Sequence, residues 1–129
     1  MINRGAIILR PAQPFLEWAA GLDDSNILPD AAGEQTVYLV PEWDDDKGQE
    51  RVLKRVYREL FERELFGWHT DESRWPRVRG LREFRKWFRI EMHSLIEDLC
   101  MDGIFDDEDE DEEFFSFLDA LSEVSPPKR

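Results

Sequence analysis

Eight consecutive carboxylates, Asp106, Asp107, Glu108, Asp109, Glu110, Asp111, Glu112 and Glu113, set the first limit on how this chain folds. A run of like charge repels itself and cannot enter a core, so it reads as a linker or an interaction tail. It separates residues 1–105, which read as a single α+β domain, from a short remainder. Within that remainder, 106–113 is the acidic linker, 114–124 a short amphipathic helix and 125–129 a frayed end. Hydrophobic residues make up 41% of the chain against 36% charged, enough apolar content to exclude disorder along its full length.

The formal charge of −13 is unevenly spread. Residues 1–46 hold two basic and nine acidic side chains, residues 47–89 thirteen and seven, and residues 90–129 two and fourteen. The middle of the chain is therefore basic inside an acidic protein, which bears on partners rather than on fold. The total charge argues against uniform, non-specific nucleic-acid binding, because phosphates are repelled. The longest apolar runs are as short as Ala6–Leu9, so no transmembrane helix is expected. No long apolar stretch of leader type follows Met1. Cys100 is the only cysteine, which excludes an internal disulfide and suits a reducing, cytoplasmic setting.

Residues 4–10 read as a buried strand that runs into Pro11. Pro14 opens a short helix carrying Phe15, Leu16, Trp18, Ala19 and Ala20, closed at Gly21. Residues 22–35 form a loop, and 36–40 a second strand that Pro41 confines to an edge or an end. Asp44, Asp45 and Asp46 suit the positive end of a helix whose apolar positions are Val52, Leu53, Val56, Tyr57, Leu60, Phe61 and Leu65, with a break at Gly67. After a loop over 68–80, a stripe of Leu81, Phe84, Phe88, Met92, Leu95, Ile96 and Leu99 predicts a second long helix over 81–100, roughly 30 Å in length. Residues 103–105 are either a third strand or a loop. The expectation is a two- or three-stranded sheet packed against two long helices.

Candidate binding residues fall in two groups. The first is the acidic run followed by Phe114, Phe115, Phe117, Leu118 and Leu121, apolar residues that a pure solubility tail does not need. They suggest a helix that docks into a groove of its own domain or of a partner. Trp87 and Ile90 join this group, because on a long helix they lie off the apolar stripe and imply a second buried surface. Aromatic side chains at such positions are typical interface anchors. The second group is Arg74, Arg77, Arg79, Arg82, Arg85, Lys86 and Arg89 with Trp75, a mixture suited to phosphates and stacked bases. The plainer reading of these cations is a solvated helix face. His93, Glu97 and Cys100 share one face of the expected helix and could offer nitrogen, oxygen and sulfur to a metal, but no further ligand is marked. No nucleophile elbow, zinc-protease, phosphate-loop or dinucleotide motif is present.

The sequence therefore points to a small non-enzymatic interaction or regulatory module without a cofactor. Its acidic surfaces at 17–46 and 106–113 would steer a basic partner. An immunity- or antitoxin-like inhibitor and a nucleic-acid mimic are special cases that rest on charge and size. Exposed sheet edges also allow a homo-oligomer. The alternative, from a different class, is a nucleic-acid-binding protein that uses residues 74–89 and is restrained by its own acidic run.

Overall fold

A strand with apolar residues on both faces suits the interior of a sheet, and β1 (Arg4–Pro11) is such a strand. In the computed structural model, which describes residues 1–23 and 25–105, β1 is central in a three-stranded antiparallel sheet. One neighbour is β2 (Val37–Pro41) and the other is β3 (Phe88–His93). Ile7 faces Tyr38 and Met92 across the ladder, Leu9 faces Ile90, and Pro11 faces Phe88. Directly opposed residues share a face, so these side chains form the inner layer of the sheet. Met1–Asp98 is one compact unit and Leu99–Arg129 a second. Residues 99–105 of the second unit have no regular secondary structure.

Three helices supply the second layer: α1 (Gln13–Ala20), α2 (Asp46–Trp68) and α3 (Leu81–Trp87). Phe88 joins the layers. Its ring lies 5.4 Å from that of Phe15, 5.5 Å from Phe61 and 5.3 Å from Phe84, centroid to centroid. Phe61, Phe84, Ile7, Leu9 and Leu65 are the largest fully buried side chains. Each such side chain gains about 1.5–3 kcal/mol over leaving it in water. Asp45 caps α2, its carboxylate accepting from the Gly48 N–H at 2.7 Å. An aspartate cap of this kind contributes about 1 kcal/mol. The chain enters that cap through Trp43, whose indole packs against Gly5. A Cβ at Gly5 would come within 2.2 Å of the ring, so the sheet and the α2 entry approach this closely only because residue 5 is glycine.

The α+β class and the three-stranded sheet agree with the sequence reading, as do the first two strands and the first two helices. α2 runs through Gly67 to Trp68 rather than breaking there. The second long helix does not form. Residues 81–87 are helical, but 88–93 are the third strand and 94–100 are irregular. The third strand is therefore not at 103–105. Phe88, Met92 and their neighbours fit two periods at once, because Phe-Arg-Ile-Glu-Met-His also alternates apolar with charged or polar. Ile90 decides between the two. On a helix it lies on the wrong side, whereas on a strand it joins Phe88 and Met92 on the inner face opposite Leu9. The free edge of β1 supplies a ladder that a continued helix would have left unsatisfied. Leu95 and Leu99, which the helical stripe would have buried, are 75% and 92% exposed. No helix among the described residues is long and apolar enough to cross a membrane.

Candidate functional site

Among its described residues, the connection from α1 to β2 has no regular secondary structure, yet it is tied down at its second half. Loops of this length in a compact unit are uncommon and usually functional. Asp30 closes a turn by accepting from the Ala32 and Gly33 N–H groups at 3.1 and 3.0 Å. The Gln35 side-chain amide donates to the Asp30 carbonyl. From β1, one terminal nitrogen of Arg10 donates to the Ala31 and Gly33 carbonyls at 3.1 and 3.0 Å. The Arg10 Nε donates to Glu91 on β3 at 2.8 Å. The guanidinium thus clamps the loop to the sheet and holds the Glu91 carboxyl below the usual carboxylate range.

Between this loop and the C-terminal half of α2 lies a cleft of about 300 Å³. Its lining includes Glu34, Gln35, Tyr38, Glu64 and Trp68. The Tyr38 hydroxyl donates to Glu64, and both side chains are half-buried. Burial pushes the Glu64 carboxyl up, and the Tyr38 hydrogen bond only partly offsets this. Burial and the adjacent Glu64 charge push the Tyr38 phenol up. Beside the cleft, β2 is an edge strand on which Val37 and Leu39 are 55% and 48% exposed. They face Ile8 and Ala6 of β1, on the sheet face away from Phe88. Ile27 and Leu28 of the loop are exposed as well. Asp23, Asp30, Glu34 and Glu42, all exposed, surround these aliphatic groups along the chain.

The residues singled out in the sequence are placed less favourably. Trp87 ends α3 and packs in a ring cluster with Phe15 and Trp18, each at 6.0 Å, and Phe61 at 5.7 Å. Ile90 is a half-buried strand residue. Neither sits at the back of a long helix, so that reason for choosing them falls away. Asp106–Glu113 and Phe115 lie outside the described residues.

The cations of 74–89 do not share one surface. A terminal nitrogen of Arg74 donates to the Leu22 carbonyl. Arg79 donates to the Pro76 carbonyl and lies 5.5 Å from the Trp75 ring centre, while its Nε is buried without a hydrogen-bond partner. Arg85 pairs with Glu50 of α2, and Arg89 points with Glu91 to the outer sheet face. Arg77, Arg82 and Lys86 are exposed. Trp75 is buried, its indole N–H donating to the His69 carbonyl, and so offers no ring for base stacking. The helical spacing of His93, Glu97 and Cys100 is lost with the helix. Glu97 instead faces the Met1 amine at 3.1 Å. Among the described residues no His, Cys, Asp and Glu side chains group as a metal site.

Sequence reasoning missed two features. Tyr38 and Glu64 stand 26 residues apart, and no local pattern joins them. Lys47, Arg51, Lys54, Arg55 and Arg58, all exposed, fall within about 100° of one another around α2, a stripe that helical spacing does reveal. A larger open cleft of about 730 Å³ at the start of α2 mixes Glu42, Asp44 and Asp45 with Arg51, Lys54 and Arg55, so its charges largely offset one another. Comparison with protein-family models, with curated proteins and with solved structures gives no match.

Proposed function

We propose that this chain is a non-catalytic interaction module that takes a basic partner protein on the β2 side of its sheet. One observation carries the reading: four exposed aliphatic side chains, Ile27, Leu28, Val37 and Leu39, stand among acids on and beside an edge strand. An edge strand offers unpaired backbone groups to an incoming extended segment. The surrounding carboxylates favour a basic segment and speed its encounter. The Asp106–Glu113 run adds eight carboxylates to the chain's acidic charge, and the single cysteine suits a cytoplasmic setting. A second copy of the chain could use the same edge, which light scattering on the pure protein tests. The partner reading is tested by capture from the native host with the full chain. A reproducible basic protein, lost with Val37→Asp/Leu39→Asp and weakened by salt, is the expected result. Unchanged capture by the double variant overturns it.

A second reading keeps the nucleic-acid alternative but moves it. The α2 stripe, not residues 74–89, is the coherent cationic surface. Binding of labelled single-stranded RNA should fall steeply between 50 and 200 mM salt, roughly as a few neutralised phosphates require. It should disappear with Lys54→Glu/Arg55→Glu and strengthen when Asp106–Glu113 are neutralised. No binding by the neutralised chain removes this reading.

A further inference from the structure

Resting on the docking reading above, we propose that the Tyr38–Glu64 cleft is an anchor pocket for one arginine guanidinium of the basic partner. Its lining holds three carboxylates, Asp30, Glu34 and Glu64, against one cation, Arg63. The Arg63 Nε is turned to Glu59 at 3.0 Å, along the helix. The Asp30 Oδ1 is occupied by two backbone N–H groups of its own turn. Glu64 is different. One of its oxygens accepts from Tyr38. The other retains acceptor capacity in a half-buried position, where a charged donor counts for more than it would in water.

The lining suits a flat cation. The half-buried Trp68 forms part of the wall, and a guanidinium presents a planar face to an aromatic ring and a donor fork to a carboxylate. A volume of about 300 Å³ leaves ample room for one such side chain. The pocket and the proposed docking surface share the β2 edge from its two faces: Thr36 and Tyr38 line the cleft, and Val37 between them points to the other face. A segment lying along β2 would therefore place one side chain at the mouth of the cleft. Buried anchors of this kind, arginine prominent among them, dominate interface energetics. Arg10 serves as a positioning residue, because its two bonds to the Ala31 and Gly33 carbonyls fix the loop that walls the pocket.

The test uses the full chain and Nα-acetyl-argininamide as the probe, followed residue by residue by NMR. Nα-acetyl-norleucinamide, of similar length and without charge, is the control. Shifts should cluster at Gln35, Tyr38, Glu64, Gly67 and the Trp68 indole, with a dissociation constant on the order of 1 mM. Glu64→Gln should weaken the probe roughly tenfold, as loss of a charge-assisted bond implies, and leave the spectrum folded. Glu34→Gln, at the exposed rim, should weaken it about twofold. Equal shifts with the control, shifts elsewhere, or an unchanged affinity in Glu64→Gln overturn the proposal. If capture of the partner depends on Val37 and Leu39 while the probe ignores the cleft, the anchor falls and the docking surface stands. If the probe binds the cleft while capture does not depend on Val37 and Leu39, the docking reading falls and the cation pocket stands alone.

Discussion

The two edges of the sheet are treated in opposite ways. On β3 the outward positions are Arg89, Glu91 and His93, and Glu91 is drawn into an ion network with Arg10 and Arg89. Charge on an edge strand is a common defence against unwanted pairing. On β2 the same outward row is Val37 and Leu39, and both stay exposed. One central strand thus carries one defended edge and one open one. The difference lies in five side chains rather than in strand direction, because both neighbours pair antiparallel with β1 and share Ala6, Ile7 and Ile8 as partners. An open aliphatic edge is a liability unless something covers it, which is why the β2 side is the natural place to look for a partner.

Substitutions can break that contrast. The largest stability effect is expected at the inner end of the defended edge. Phe88→Ala removes the ring that ties the sheet to three helices, and should cost about 3–5 kcal/mol in urea unfolding. Arg10→Leu comes next. It frees two loop carbonyls and leaves Glu91 without its main partner, so a loss of about 1–3 kcal/mol is expected, together with a weaker argininamide response in the cleft. Leu39→Asp on the open edge should change stability by less than about 0.5 kcal/mol, as exposed positions do, while removing partner capture. A large stability loss there would mean the edge is not open in solution.

The remaining effect concerns pH. Burial raises the Glu64 carboxyl, so its protonated form favours the folded state. The stability this lends is complete at low pH and fades as pH rises through the carboxylate range. Glu64→Gln should therefore flatten that part of the pH–stability curve and be slightly more stable at neutral pH, by under about 1 kcal/mol. Asp30 and Glu34 from the loop, Tyr38 from β2, and Glu59 and Arg63 from α2 face the same region and stay in place in this variant. A curve that is unchanged by Glu64→Gln would show that Glu64 is better solvated than its burial implies.

How much of this was legible follows from where each signal sits. β1, β2, α1 and α2 announce themselves through local punctuation: Pro11, Pro14, Pro41 and the Asp45 cap. Residues 88–93 do not, because a six-residue apolar–polar alternation also fits a helical stripe when Leu81 and Phe84 precede it. Of the two residues off the stripe, Trp87 and Ile90, only Ile90 lies in the strand, and its misfit on a helix was the strand's signature. The cleft was not legible at all, since Tyr38 and Glu64 meet only after α2 packs against β2. The cationic stripe of α2 was legible from its spacing but was absorbed into a count of charges over 47–89. The 74–89 cations failed as a site for a related reason: neighbours in sequence were divided among a loop, a helix and a strand.

The ring cluster around Phe15 has an optical consequence. Trp18 and Trp87 lie 6.0 Å apart with their planes at 52°, close enough for their ultraviolet transitions to couple. A paired positive and negative band should therefore stand out in the circular dichroism of the folded chain. Because Trp18 belongs to α1 and Trp87 to the end of α3, that signal would vanish once those two helices part. It would report their separation even where the backbone spectrum still looked helical.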